Sequence, residues 1–257
     1  MPDAFYMIRL RLQARTLAVL AQRRGLPPRS DDAGYVIHSF LRELFGDMAP
    51  SPFSIEREEG KLVEVLGYAD VRAVELREYA GAFADPFHFS GVVWESMADK
   101  PMPDRWQAGQ RLGFKTRICP VVRRAKPGPR GEQAGREMDV FLANVELAGT
   151  EPLDRYSTYL QWLGAALARS GGALLARGSV DAFRLRRLVR RDKLGKPTTV
   201  PPVRSNDHGS SGRPDVTIRG ELTVVDPLAF AHLLRRGIGR HRAFGFGMIL
   251  LRPPGNT

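Results

Sequence analysis

Tyr35, His38 and Arg42 stand three and four residues apart within the segment DDAGYVIHSFLRELFGD, Asp31 to Asp47. At about 100° per residue, the apolar Ile37, Phe40, Leu41, Leu44 and Phe45 fall on one face of a helix. The phenol, imidazole and guanidinium then form a stripe along the edge of that face. Such a stripe can break an RNA phosphodiester without a metal. One group takes the proton of a ribose 2′-OH, another protonates the leaving 5′ oxygen, and the cation offsets charge on the phosphorane. Histidine suits the proton work because its ordinary pKa lies near neutrality. The plainer reading makes these amphipathic residues at the boundary of a buried helix, and the pattern alone leaves both open.

A second chemical stretch is RRGIGRHRAFGFGMILLRPP, Arg235 to Pro254. Gly237, Gly239, Gly245 and Gly247 sit between a helical pattern and an apolar strand. A dinucleotide-binding turn has the opposite order, strand then glycines then helix, so that chemistry is excluded. Glycines in this order let backbone pass close to a phosphate chain or to another helix. Arg240, His241 and Arg242 would supply the cations; a solvated connector is the alternative.

A third group is SVDAFRLRRLVRR, Ser179 to Arg191, read as one strand. Alternation sends Phe183, Leu185 and Val189 to one face and Arg184, Arg186 and Arg190 to the other. That arrangement is a ladder suited to backbone phosphates, or else a basic edge that deters aggregation. Lys115, Arg117, Arg123 and Arg124 extend the basic surface. His88, His208 and His232 stand without partners in the sequence.

The elements that must position these residues read as a repeat. Ala4 to Gln13 alternates as a strand, and the segment around Asp31 to Gly46 forms a helix capped by Asp31 or Asp32 and ended by Gly46. FSIERE and LVEVLGY form a hairpin around Glu59-Gly60, and Asp70 to Tyr79 is helical. A fourth strand in Asp85 to Gln107 is the weakest assignment. Arg111 to Arg124 is then a strand and Asp154 to Arg169 a helix. The strands Ser179 to Arg191 and Asp215 to Asp226 follow, then a helix opened by Asp226-Pro227 and a last strand in FGMILLRP. Residues 192–214 form a long polar excursion with no core pattern. Strand, helix, strand, strand, helix, strand occurs twice, which is the ferredoxin-like order of RNA-recognition modules. The expected fold is α+β, with tandem ferredoxin-like domains at 1–105 and 106–257.

Composition narrows the partners. The chain has 257 residues, 39 Lys and Arg against 28 Asp and Glu, and a formal net charge of +11. Such a surplus favours a polyanion, because each neutralised phosphate releases counterions. With 43% hydrophobic and 26% charged residues the composition is that of an ordinary globular protein. Its apolar runs are too short for a bilayer, and Arg9, Arg11 and Arg15 interrupt any secretory leader, so no membrane association is expected. Cys119 is the single cysteine, which excludes an internal disulfide or thiolate cluster and fits a reducing cytoplasm. Neither metal nor cofactor is expected from the spacing of the five histidines.

Together, the doubled order, Tyr35-x-x-His38 on the first long helix, FKTRICPVVRR and above all RRGIGRHRAFGFGMILLRPP resemble the CasE-type CRISPR endoribonucleases of type I-E systems, members of the RAMP superfamily. The resemblance implies an enzyme that binds the repeat hairpin of the precursor transcript and cuts at the 3′ base of the stem. The cut would be metal-independent, by 2′-OH attack, leaving a cyclic or 3′ phosphate and a 5′-OH. The product would be kept, with the other Cascade subunits as partners. His38 would carry the acid/base role and Tyr35 would assist. Extra length at 14–31, 85–107, 124–137 and 192–214, and a second histidine at 241, depart from the family pattern. A non-catalytic hairpin-binding subunit is the competing reading; a DNA-binding regulator lacks a helix-turn-helix or zinc pattern.

Overall fold

Alternation in YMIRLRLQ does produce a strand, β1 (Tyr6–Gln13), in the computed structural model, which describes residues 5–26, 33–124, 134–149, 151–192, 194–204 and 211–255. It is followed by α1 (Ala14–Arg23), α2 (Gly34–Phe45), β2 (Phe53–Glu59), β3 (Leu62–Ala69), α3 (Ala73–Phe83), the short α4 (Pro86–Phe89) and β4 (Ala98–Pro101). The strands pair antiparallel in the order β2-β3-β1-β4, the ferredoxin-like arrangement.

The second half repeats it. Its elements are β5 (Arg111–Ile118), β6 (Val121–Arg123), β7 (Glu137–Asp139), α5 (Val140–Ala148), α6 (Arg155–Ser170), β8 (Ala173–Arg186), β9 (Val189–Arg191), β10 (Pro197–Thr199), β11 (Val203–Arg204), β12 (Ser211–Val224), α7 (Pro227–Arg236) and β13 (Ile249–Arg252). Four strands form the antiparallel order β8-β12-β5-β13, with β11 paired to the first residues of β12 as a short addition.

Several local expectations hold for stated reasons. Asp226 caps α7 by accepting from Ala229 N at 2.7 Å; Asp154, where the expected helix begins, does the same for α6 by accepting from Ser157 N at 2.6 Å. Gly46 ends α2 at φ 57°. The expected caps Asp31 and Asp32 lie outside the described residues.

Others need correction. Residues 14–23, to which the sequence pattern gives no element, form the helix α1: Leu20 and Ala21 are buried three and four residues after Leu17. The strand expected over Arg111 to Arg124 breaks at Cys119-Pro120, where proline has no N–H for the ladder, and its continuation β6 pairs with β7 instead. The strand expected over Ser179 to Arg191 ends at Arg186; β9 turns away to pair with β10. Within the supposed coreless excursion, Val200 and Val203 join Leu188, Cys119, Val121, Phe244 and Phe246 in a third core cluster.

The first sheet is buried on both faces, and this locks the halves together. Ile8, Leu10, Leu12, Val63 and Val65 face α2 and α3, while Phe5, Met7, Leu66 and Tyr68 belong to the core of the second half. Tyr68 Oη donates to the Ile249 carbonyl of β13 at 2.8 Å, and burial raises its phenol pKa well above the usual range. Tyr68→Phe is expected to lower unfolding stability by about 1 kcal/mol, visible as a lower urea midpoint with unchanged m-value.

Candidate active site

The site begins where α2 meets the glycine stretch. Gly34, the first residue of α2, packs so closely that a Cβ there would stand 2.2 Å from the carbonyl oxygen of Phe244. No side chain fits. One residue on, the Tyr35 ring lies 5.7 Å from that of Phe244, and a turn further along His38 lies 6.4 Å from Tyr35. Both Tyr35 and His38 are half-buried. The edge of the helix is thus set directly against residues more than 200 positions away, because Phe244 is anchored in the third core cluster.

The glycine stretch holds its own shape by backbone pairing. Ile238 N donates to Gly247 O at 2.8 Å, and Gly247 N donates to Arg117 O at 2.7 Å. At Gly247, φ is +87° and a Cβ would come within 2.2 Å of the Ile238 oxygen, so both conformation and space demand glycine. Gly237, Gly245 and Gly247 are buried, whereas Gly239, Arg240 and Arg242 face solvent. Gly239 lies over Trp162 of α6, where a Cβ would meet the indole at 3.0 Å. The stretch is therefore a packed seam with an exposed basic crest.

His38 sits among cations. Partial burial, then Arg42, then Arg24 push its pKa below the ordinary histidine value, so at neutral pH it is an uncharged imidazole that can accept a proton. Arg42, the cation expected from the helix stripe, is half exposed and pairs at 2.7 Å with Asp47, itself 98% exposed. Arg24, at the end of α1, is the basic neighbour that the helix pattern could not reveal.

His241 also packs against Phe244, with ring centroids 6.1 Å apart. It is the non-glycine residue with positive φ among those described, at 61°, a sparsely populated conformation for a side-chain-bearing residue. Its Nε2 lies 3.0 Å from Glu137 Oε2, which also accepts from Arg213 Nη1 at 2.6 Å; Arg240 reaches the other carboxylate oxygen at 3.2 Å. The hydrogen bond from His241 and the nearby Arg213 charge hold the Glu137 pKa down, to about 2. A depressed carboxylate stabilises the fold above its unfolded pKa and loses that contribution as pH falls through the folded value. Glu137→Gln leaves the buried Arg213 guanidinium without its counter-charge and is expected to cost roughly 3 kcal/mol at neutral pH. The gap to the parent should narrow as pH is lowered from about 4.5 toward 2 in a series of denaturation curves.

The other basic residues divide into engaged and exposed. Lys115 pairs with Glu56 at 2.9 Å. Arg117 grips Asp215 at 2.8 and 3.1 Å, donates to Phe244 O and stacks 4.1 Å over Phe246. Arg186 shares Asp215, and Arg124 pairs with Glu146. Arg123, Arg184 and Arg190 are exposed. Arg184 and Arg186 share the open face of β8, but Arg190 stands on β9, so the continuous arginine ladder is replaced by two separate patches. His232 is exposed on α7, and His208 lies outside the described residues. His88, taken from sequence as lacking partners, is buried with one carboxylate beside each ring nitrogen.

Among the described residues no group of three or more His, Cys, Asp and Glu side chains is placed to hold a metal ion, and no helix is long and apolar enough to cross a membrane.

Comparison with solved structures finds the same fold. A CRISPR endoribonuclease Cse3 bound to a 19-nucleotide RNA aligns over 97% of this chain and 100% of that chain, with TM-score 0.62 and 20% identity. Cas6e from Escherichia coli str. K-12 aligns over 96% and 99%, with TM-score 0.53 and 19% identity. A chain of a CRISPR RNA-guided surveillance complex aligns over 96% and 98%, with TM-score 0.52 and 16% identity. A search of curated proteins finds no significant match. The family model described as CRISPR associated protein matches residues 5–253, nearly the whole span that carries both sheets, the Tyr35/His38 helix and the glycine seam, and the chain belongs to that family.

Proposed function

We propose that this protein is a metal-independent endoribonuclease. It binds the hairpin of the CRISPR repeat in precursor RNA, cuts at the 3′ base of the stem by 2′-OH attack, and keeps the product as a Cascade subunit in the cytoplasm. The observation that carries this reading is the placement of His38 beside Tyr35 on a helix fixed against the glycine seam. A neutral imidazole can take the 2′-OH proton, and a phenol one turn away can orient it or supply a proton to the leaving oxygen. The RNA-bound Cse3 relative and the surveillance-complex relative, with the same fold, support the substrate and the assembly.

In this reading, residues 1–105 form the domain bearing the reactive helix. Residues 106–257 form the domain that supplies the seam and the RNA-facing cations. Gly239, Arg240, His241 and Arg242 line the crest nearest the Phe244–Tyr35 contact; Arg123, Arg184 and Arg190 lie farther out and follow the RNA backbone. Lys115, Arg117, Arg124 and Arg186 would reach phosphate by exchanging an existing carboxylate partner. Gly237, Gly245 and Gly247 shape the backbone beneath the RNA.

Incubating purified protein with end-labelled hairpin of its own repeat tests this. One cut at the 3′ base of the stem is expected; tight binding with an intact hairpin would instead make it a hairpin-capping subunit.

A further inference from the structure

Arg24 follows α1 directly, its backbone N–H donating to the carbonyls of Leu20 and Ala21 at 3.1 and 3.2 Å. The anchor point is therefore fixed. Its side chain is only 18% exposed and forms an ion pair with Glu43 of α2, the residue after Arg42. A guanidinium this far from water requires a counter-charge in place.

Glu43 is itself held. Its second carboxylate oxygen lies 2.8 Å from His88 Nε2, close enough for an ion pair but not aligned as a hydrogen bond. On the opposite side of the ring, Nδ1 lies 2.5 Å from Asp85 Oδ2, while Asp85 Oδ1 accepts from the His88 backbone N–H at 3.0 Å. The rings of Phe40 and Phe87 enclose the imidazole at 5.3 and 5.2 Å. The result is a chain, Asp85–His88–Glu43–Arg24, buried at the imidazole and open to solvent at both carboxylates, that nothing in the cleavage chemistry otherwise uses.

The ion pair holds Arg24 against α2, the helix that also carries Tyr35 and His38. The Arg24 charge helps to keep the His38 pKa low, and Arg191 of β9 is a further cation nearby. The β9–β10 hairpin closes the space behind it: a Cβ on Gly25 would stand 3.2 Å from Pro197. Arg42, by contrast, extends toward solvent with an exposed partner.

We propose that Arg24 is the cation that faces the scissile phosphate beside Tyr35 and His38, and that Glu43, His88 and Asp85 are positioning residues that hold it there. This rests on the cleavage reading above. The reaction it serves transfers the 2′ oxygen to phosphorus with loss of the 5′ oxygen, and the guanidinium stabilises the extra negative charge of the phosphorane without exchanging protons or electrons. A planar fork can meet two phosphate oxygens at once, which an ammonium cannot.

The test compares Arg24→Ala, Arg24→Lys, Glu43→Gln and Arg42→Ala by single-turnover cleavage, by hairpin affinity and by NMR titration of the His38 imidazole in free protein. Arg24→Ala is expected to slow cleavage about 10²- to 10³-fold while affinity changes less than about tenfold, and to raise the His38 pKa. Arg24→Lys should keep the His38 titration low yet recover only part of the rate, which a merely structural role would not produce. Glu43→Gln should slow cleavage about tenfold with the hairpin still bound, and Arg42→Ala should do less than Arg24→Ala. An unmoved His38 titration in Arg24→Ala, or a rate within threefold of the parent, overturns the proposal. The titration is read without RNA, so it decides the placement of Arg24 even if the parent protein cuts nothing.

Discussion

His38→Ala is expected to bind the repeat hairpin as tightly as the parent and to cleave it 10²- to 10⁴-fold more slowly, on the order of what a positioned proton-transfer group contributes. The imidazole is half-buried on the edge of α2, its ring 6.4 Å from Tyr35, so truncation removes a reacting group without opening the core beneath. That core is built by Ile37, Phe40, Leu41 and Leu44, all essentially inaccessible to water. The pH profile gives the second half of the prediction. Burial and two arginines lower the His38 pKa, so in the parent the rate should climb with pH and level off below the ordinary histidine value near 6.5. In Arg42→Ala the rise should move to higher pH, since a charge that disfavours the imidazolium is gone. A His38→Ala rate within a few fold of the parent in quenched-flow assays would remove His38 from the chemistry.

Gly34→Ala is the substitution with the largest expected effect for its size. One methyl group would sit 2.2 Å from the Phe244 oxygen and 2.4 Å from its carbonyl carbon, so α2 or the glycine seam has to shift. Either movement separates Tyr35 and His38 from the surface they pack on. Overpacking of this kind costs about 1–3 kcal/mol of stability, and a displacement of roughly 1 Å at a reacting group can cost about 10²-fold in rate. Gly81→Ala is the matched control: its Cβ would meet only Phe89 at 3.8 Å on α3, an ordinary contact. That variant should be neutral or slightly stabilising, since alanine suits a helix interior better. Thermal unfolding and single-turnover rates of the two variants measured together check the contrast; equal rates would mean that the contact between α2 and the seam does not position the site.

Periodicity carried much of the fold because the chain is strongly patterned where it matters. The alternation of β1, the amphipathic α2, the Asp-capped α6 and α7 and the turn at Gly60 each declared their element locally, and their order gave the doubled architecture. What failed were features decided at a distance. The bounds of β4, expected somewhere in Asp85 to Gln107, did not show, because it is four residues long at a sheet edge, too short for a period. Cys119-Pro120 ends β5 although the residues beyond it still look strand-like, because a missing N–H outweighs their propensity. The excursion after β9 seemed coreless, yet Val200 and Val203 are buried by Phe244 and Phe246, whose nearness no local window contains.

The site divides in the same way. Tyr35 and His38 share a helix, so their spacing was readable, and helix periodicity alone placed Arg42 beside them. The pairing of Lys115 and Arg117 with Glu56 and Asp215 depends on tertiary neighbours, whereas that of Arg42 with Asp47 is local, five residues on. His88 had one visible signal, Asp85 three residues earlier, but its second carboxylate arrives from α2, 45 positions away in sequence. Arg24 belongs to that same hidden network. The dependence of the seam on glycine was legible as composition, and its reason only as contact: Gly34 and Gly247 each face a carbonyl oxygen at a distance that excludes a side chain.

The central claim is that the ribose itself attacks, with protein side chains and no metal. It is tested most directly with repeat hairpin carrying a single 2′-deoxy nucleotide at the 3′ base of the stem, assayed in EDTA beside the all-ribose hairpin. One cut is expected in the all-ribose RNA, with a 5′-OH on the downstream fragment and a cyclic or 3′ phosphate on the upstream one, and no scission of the deoxy-substituted RNA at equal occupancy. Cleavage of the deoxy hairpin, or cleavage that appears only when Mg²⁺ is supplied, would contradict it.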